Sequence, residues 1–492
     1  MATKLSVQNL ETISNSIKTP SYDRSGLSGG IVHFGVGNFH RAHQAVYLDS
    51  LFDSGCDHDW AIIGAGVLPS DEKMCRALAD QDYLTTVVEQ SAGQSTACVT
   101  GAMIDFLSPG DPAEIIHTLT RPAIRIISLT ITEGGYFIDP ATGIFDAGNP
   151  EIVADGANPK NPKTVFGLIV AGLKQRRQVG IEPFTVMSCD NIPHNGDVTR
   201  NAVAGLARLS DPELSQWIMD HVVFPNGMVD RITPATGDRE REILARDLEI
   251  EDNWPVFCED FIQWVLEDNF SAGRPQLERV GVQFVSDVTP YENMKIRILN
   301  GGHAVIAYPA GLLDIHFAHE AMEHPMIQSF LQKVEYEEII PVVPPVPDMD
   351  LYSYFKKIEE RFANPKIGDT IRRLCLDGSN RQPKFIIPSI ADRLEKGAGV
   401  TGLALESALW CRYCYGTTES GEITEPNDPN WDRLVFAARA AKDDPMAWLK
   451  MEEIYGEVGR SNIFRECFAF LLQAIWSQGV ETVITSYLQE TL

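Results

Sequence analysis

The chain has 492 residues, enough for two or three domains of ordinary size, and its 44% hydrophobic and 22% charged residues are those of a globular protein with a substantial core. A formal net charge of −27 repels phosphate backbones and anionic membrane surfaces, which argues against nucleic acid and membranes as partners and leaves a small neutral substrate open. The nine cysteines are odd in number and irregularly spaced, as expected of free thiols in a reducing compartment. Cys411-Arg-Tyr-Cys414 lacks a partner pair and reads as two cysteines of one helix. The N-terminus lacks the apolar core of a signal peptide and no run reaches the ~18 apolar residues of a membrane helix, so the cytoplasm is the expected location.

In chain order, the first strand signal is 31–34. It leads into Gly35-Val36-Gly37-Asn38-Phe39-His40-Arg41-Ala42-His43 and a helix pattern over 42–51. Glycines at a strand-to-helix turn let the backbone approach a pyrophosphate at a helix N-terminus. His40 stands where the third glycine of Gly-x-Gly-x-x-Gly is usual, so the motif alone is weak. A second apolar strand over 61–67 is followed by Asp71, a carboxylate suited to an adenosine ribose and repellent to a 2′-phosphate. It comes later than the usual spacing, and a solvated loop acid is the competing reading. Strand signals at 84–89, 124–131 and 183–188, with helix patterns such as 164–178 between them, predict a doubly wound, largely parallel sheet. The runs at 124–131 and 183–188 are nearly all apolar, as strands covered on both faces should be. They end in polar clusters, Thr132-Glu133-Gly134-Gly135 and Asp190-Asn191-Ile192-Pro193, at the strand ends where such sheets bind ligands. Asp190-Asn191 reads equally well as a turn.

From residue 287 the pattern turns helical, over 289–309, 327–338, 351–362, 366–376, 384–396, 401–415, 431–442, 446–457 and 463–488. The predicted class is therefore α/β: a Rossmann-like, doubly wound dinucleotide-binding domain over 1–286 and a mostly α-helical substrate and catalytic domain over 287–492. The prolines of 341–347 predict a rigid loop. Thr289, Pro290 and Glu292 suit the N-cap, N1 and N3 positions of a helix with a capping box. At about 100° per residue, one arc of that helix presents Lys295, Asn300 and His303: a potential general acid–base, an amide donor and an imidazole. The plain alternative is the wet side of an amphipathic helix. Glu292 either closes the capping box or offers Lys295 a proton path.

Val229-Asp230-Arg231-Ile232-Thr233-Pro234, followed by Lys295-Ile-Arg-Ile-Leu-Asn300-Gly-Gly-His303 and preceded by the glycine motif with its His-Arg-Ala-His, resembles the polyol-specific long-chain dehydrogenase family. The likeness runs over roughly residues 31 to 390. Asn38 departs from a second small residue, Arg381 from a lysine, and Ser70 from a second acid. The resemblance implies metal-free hydride transfer between a polyol and NAD, with NADP less favoured. It implies Lys295 as general acid–base, Asn191 and Asn300 as donors to the reacting oxygen, and His303 as the group that holds that oxygen and orients the lysine. Lys295 suits this role if burial and nearby positive charge bring its pKa toward working pH. Asp230, Arg373 and Arg381 are implied in substrate binding. Phe34, Gly35, Val36, Gly37, Asn38, Phe39, Asp71, Glu133 and Val229 are implied in cofactor binding. The expected reaction interconverts D-mannitol and D-fructose. Alternatives are reduction of a hexuronate such as fructuronate, with Arg373 or Arg381 as carboxylate anchor, and oxidation of D-arabinitol or sorbitol. A monomer is the expected state. A non-catalytic dinucleotide sensor has no need of Lys295, Asn191, Asn300 and His303 together.

Overall fold

The computed structural model describes residues 2–139 and 143–491, and the chain divides into two compact units, Met1–Thr289 and Pro290–Leu492. In the first unit, strands β1 (Gly29–Phe34), β2 (Ala61–Ala65), β3 (Met103–Leu107), β4 (Ile126–Leu129) and β5 (Thr185–Ser188) form a parallel sheet in the order β3-β2-β1-β4-β5. That is the doubly wound order of dinucleotide-binding folds. Both faces are covered: Ile127, Leu129 and Val186 lie in one apolar cluster, and Ile62, Ile126 and Met187 in another. This double burial explains why β4 and β5 lack a polar alternation. The strand predicted at 84–89 forms as Thr85–Gln90 but leaves this sheet, pairing instead with Ser95–Thr100 and Val256–Glu259. A third sheet contains β6 (Gly227–Asp230), β7 (Gln263–Glu267) and β8 (Gln283–Val285), with Trp264 opposite Val229.

Helices α1 (Asn38–Ala42), α2 (Gln44–Asp53), α3 (Asp71–Ala79), α4 (Val165–Val179) and α5 (Asn195–Ser210) connect the strands of this unit. Helix begins at Asn38, earlier than the 42–51 pattern. The backbone of His43 (φ −125°, ψ −88°) breaks the run in two, and the apolar period is legible only after the break. Local chemistry sets the ends of α4. The Thr164 hydroxyl accepts the Gly167 N–H at 3.0 Å, and Gly180 closes the helix at φ +73°.

The second unit is helical. Helix α6 (Thr289–Met294) runs into a π-helical turn, Lys295–Asn300, and on into α7 (Gly301–Leu312). Helix α8 (Pro325–Val334) likewise runs into a π-helical turn, Glu335–Ile339. There follow α9 (Leu351–Phe362), α10 (Ile371–Leu374), α11 (Gly378–Phe385), α12 (Ile387–Glu395), α13 (Thr401–Tyr413), α14 (Asn462–Gln478) and α15 (Val480–Leu488). The pattern at 366–376 yields only the short α10, because Gly368 at φ +62° interrupts what precedes it. The pattern at 384–396 divides at Ile386, and Pro388 lies in the first turn of the helix that restarts there. Cys411 and Cys414 are buried free thiols at the end of α13. That helix receives its N-terminal cap from outside: the Glu338 carboxylate accepts the Gly402 N–H at 2.6 Å and the Leu403 N–H at 3.0 Å. Among the described residues no helix is long and apolar enough to cross a membrane.

Candidate active site

The turn from β1 into α1 separates the roles of its two glycines. Gly35 has φ +86°, and a Cβ there would stand 2.0 Å from the Thr130 carbonyl oxygen, so only glycine fits. Gly37 has an extended backbone, and a Cβ there would meet nothing closer than the Gly35 carbonyl at 3.7 Å. Its free side is the approach that a pyrophosphate at the N-terminus of α1 requires. Gly35→Ala is therefore expected to destabilise the unit by about 3 kcal/mol. Gly37→Ala is expected to keep the melting temperature and weaken dinucleotide binding. Thermal melts beside cofactor titration of both variants check this contrast.

Phe34 and Val36 are buried beneath the turn. Asn38 donates to the Pro234 carbonyl at 3.1 Å and accepts from Arg41 at 2.8 Å. The larger residue thus ties the glycine motif to the end of the Val-Asp-Arg-Ile-Thr-Pro motif. Phe39 stacks on His43 with centroids 4.8 Å apart. His40, in the third glycine's place, stacks on His33 at 3.4 Å, and both are buried. Burial pushes the His33 imidazole down to about 3 and holds His40 well below its usual value. Both are neutral in the fold and protonate in the unfolded chain below about pH 6.5. Their contribution is complete above that pH and is lost as pH falls, by about 1.4 kcal/mol per unit for each ring. Urea midpoints measured from pH 7 to pH 5 should fall accordingly, and His40→Gln should reduce the slope by about one proton.

The other residues of this unit stand at strand ends. Asp71 is the first residue of α3, not a loop acid, and its Oδ2 accepts the N–H groups of Val67 and Leu68 at 2.9 Å each. A pocket of about 790 Å³ beside it is lined by Ser70, Lys73, Arg76, Arg241 and Trp254, among others. Glu133 is exposed on a 3-10 turn after β4, and Asn191 is exposed on the loop after β5. The two loops are fastened by Asp190, whose carboxylate accepts the Ile131 and Thr132 N–H groups at 2.9 and 3.0 Å and the Tyr136 hydroxyl at 2.7 Å. Burial raises the Asp190 carboxyl above its usual range. Asn195 extends the tie to β6, donating to the Asp190 and Gly227 carbonyls at 3.1 and 2.8 Å and accepting the Gly227 N–H at 2.9 Å. Strand β6 carries Val229 and Asp230, both buried. Arg231 has a structural part: its buried guanidinium donates to the Ala42 carbonyl at 2.6 Å and pairs with Glu89 at 2.5 Å. Asp190 was read only as part of a polar cluster at a strand end and Asn195 not at all, because a polar pair after a strand is indistinguishable from any turn.

In the second unit, Glu292 and Lys295 are buried, with Lys295 8% exposed, while Asn300 and His303 are half-buried. The Asp287 carboxylate supports the helix start upstream of Thr289, accepting its N–H at 2.9 Å. The π-helical turn corrects the helical-wheel placement. Its i to i+5 hydrogen bonding inserts a residue relative to an α-helix, so the 100° angles fail between Lys295 and Asn300, although Asn300 and His303 remain one turn apart. The His303 ring stacks on Phe362 at 4.1 Å. Burial first, then the charges of Arg373, Arg361 and Arg381, hold its pKa well below the usual value, so it is a neutral imidazole in a cationic setting. The structure thereby brings Arg373 and Arg381 toward His303 and adds Arg361, a buried residue near the end of α9 that no motif marks. Arg373 is also paired with Asp369, Nε to Oδ1 at 2.5 Å. Arg381 donates to the Leu374 carbonyl at the end of α10 at 3.2 Å, a structural use favourable to the helix dipole. Among the described residues no group of three or more His, Cys, Asp or Glu side chains is arranged to hold a metal ion.

Two family models cover most of the chain: the mannitol dehydrogenase Rossmann domain matches residues 29–279 and the mannitol dehydrogenase C-terminal domain matches residues 287–476. The mannitol 2-dehydrogenase of Cereibacter sphaeroides is 58% identical over 477 residues, covering 97% of this chain and 100% of its own. That of Aspergillus terreus is 41% identical over 496 residues, covering 98% and 99%. Among solved structures, Pseudomonas fluorescens mannitol 2-dehydrogenase in ternary complex with NAD and D-mannitol is 43% identical with a TM-score of 0.88, covering 99% of this chain and all of its own. A substrate-free D-sorbitol dehydrogenase is 37% identical with a TM-score of 0.92, covering 98% and 100%. On its motifs, its sheet order and these matches, the chain belongs to the mannitol dehydrogenase family.

Proposed function

We propose that the chain catalyses the NAD-dependent interconversion of D-mannitol and D-fructose, with Lys295 as general acid–base and no metal. The observation that carries this reading is a buried lysine on a π-helical turn whose last residue is Asn300 and whose next turn carries a neutral His303. π-Turns occur disproportionately at functional sites. The family supports it, as does a solved relative described as holding NAD and D-mannitol.

Gly35, Val36, Gly37, Asn38 and Phe39 are the residues that would hold the dinucleotide, with Phe34, Glu133 and Val229 beside them. The open face of Gly37 fits the group. When bound, NAD supplies the hydride acceptor. Asp71 favours NAD over NADP by repelling a 2′-phosphate. In mannitol oxidation, Lys295 takes the hydroxyl proton from the alcohol, and Glu292 passes it toward solvent. Asn191 and Asn300 donate hydrogen bonds to the oxygen as its negative charge grows. His303, being neutral, holds the same oxygen without adding a competing acid and orients Lys295. Asp230, Arg373 and Arg381 bind the remaining hydroxyls. Cofactor binding falls within 1–286 and most of the substrate-binding residues within 287–492, Asn191 and Asp230 being the substrate-binding residues of the first domain. A cytoplasmic monomer is part of the same proposal, and the net charge of −27 argues against nucleic acid and anionic membrane surfaces as partners.

A second reading, oxidation of D-sorbitol, is favoured by the likeness to a D-sorbitol dehydrogenase structure, and D-arabinitol is the further polyol that the family resemblance implies. Initial rates of NAD reduction with the three polyols, and chromatography of the products, separate the two. Mannitol as the best substrate with fructose as its product supports the proposal. Preference for another polyol, or an aldose product from mannitol, contradicts it.

A further inference from the structure

The π-helical turn Glu335–Ile339 carries two buried carboxyl groups with opposite surroundings. Glu338 is satisfied by the two N–H groups of α13. Glu335 is 0% exposed, and neither of its oxygens has a hydrogen-bond partner. An ionised carboxylate is not sustained in such a place. Burial, with the Glu359 charge adding to it, raises the Glu335 carboxyl well above its usual value. Glu335 is therefore a neutral acid, with one O–H to donate.

This acid lies against the segment that carries His303. A Cβ at Gly302 would stand 3.1 Å from Glu335 Oε1 and 3.4 Å from Phe362 Cε2. Phe362 is the ring on which His303 stacks. His303 Nε2 is itself buried without a hydrogen-bond partner. An unsatisfied donor and an unsatisfied ring nitrogen thus converge on Gly302 and Phe362. Buried polar groups that lack direct partners are ordinarily joined by an ordered water. In a neutral imidazole, the hydrogen bond made by one nitrogen decides which nitrogen carries the proton.

We propose that Glu335 is a positioning residue: as a neutral acid it donates, through one bridging water, to His303 Nε2, and so keeps the imidazole proton on Nδ1, the nitrogen left to face the substrate. The proposal rests on His303 as a substrate-binding group. It assigns Glu335 no proton transfer in the reaction, and it gives a reason for glycine at 302, where a side chain would displace the carboxyl.

Ring ¹⁵N chemical shifts of His303, assigned by difference against His303→Asn, read the tautomer directly. The expected result is one Nδ1–H tautomer in the wild type and in Glu335→Gln, whose amide still donates, and a tautomer mixture in Glu335→Leu. With mannitol, kcat/KM should fall about tenfold in Glu335→Leu, as for other outer partners that orient an imidazole, and be largely rescued in Glu335→Gln. An Nε2–H tautomer in the wild type, or an unchanged tautomer in Glu335→Leu, overturns the proposal. If Glu335→Leu does not fold, the infrared difference between wild type and Glu335→Gln decides: a protonated-carboxyl band at neutral pH supports it, and an ionised-carboxylate band overturns it. Wild-type kinetics in His303→Ala would remove the underlying reading instead. An impaired His303→Ala with an unmoved tautomer in Glu335→Leu would remove this inference alone.

Discussion

Lys295→Ala is expected to lower kcat for mannitol oxidation by about 10³-fold, the middle of the range for losing a positioned general acid–base, while NADH binding changes by less than about twofold. Lys295 is 8% exposed at the start of a π-helical turn, a backbone irregularity found disproportionately at functional sites. The cofactor turn, by contrast, is built from β1 and α1, so truncating Lys295 leaves in place the Thr130 hydroxyl's bond to the Gly35 carbonyl and the Asn38 amide's bond to the Pro234 carbonyl. Steady-state rates with mannitol beside fluorescence titration with NADH separate the two quantities. Partial recovery of kcat by small primary amines would strengthen the assignment. A fall in kcat of less than tenfold, or parallel loss of NADH binding, would take the proton chemistry away from Lys295.

Asn191→Ala and Asn300→Ala are each expected to lower kcat by about 10²-fold, the cost of removing one donor aimed at a developing negative charge. The two substitutions test different scaffolds. Asn191 is held by a loop that Asp190 and Asn195 fasten to the backbone at Ile131, Thr132 and Gly227. Losing the Asn191 amide leaves those ties intact, so the loop stays fastened and the melting temperature should move less than in Asn300→Ala. Asn300 closes the π-turn, and its replacement reports on the turn as well as the donor. Comparing kcat with the melting temperature for both variants makes the distinction. A rise in KM with unchanged kcat in either variant would assign that residue to ground-state binding instead.

Four strands of the parallel sheet were legible in the sequence because buried strands write long apolar runs and their connections write helical periods; β3, a short run with Asp105 at its centre, was not. Local pattern does not say which sheet a strand joins, and Thr85–Gln90 accordingly pairs elsewhere. The early start of α1 was hidden by the break at His43. The π-turns were invisible for a related reason. A helical wheel presumes one constant angle, and a single inserted residue does not disturb the apolar period enough to be read. The candidate residues were named from motifs, yet their fastenings were not. Asp190, Asn195 and Arg361 act through contacts with segments distant in the chain, and no spacing rule reports those. Glu335 looked like one more charge on a helix, and only its burial without partners marks it.

Metal-free reduction of fructose is tested most directly by NADH oxidation by the purified protein in the presence of a chelator, with D-fructose and D-fructuronate offered separately. Turnover of fructose is expected, undiminished by the chelator, with little or none of the uronate. Turnover of the uronate alone would contradict the assigned substrate and make Arg373 or Arg381 a carboxylate anchor, and loss of fructose turnover on chelation would contradict a lysine acting without metal.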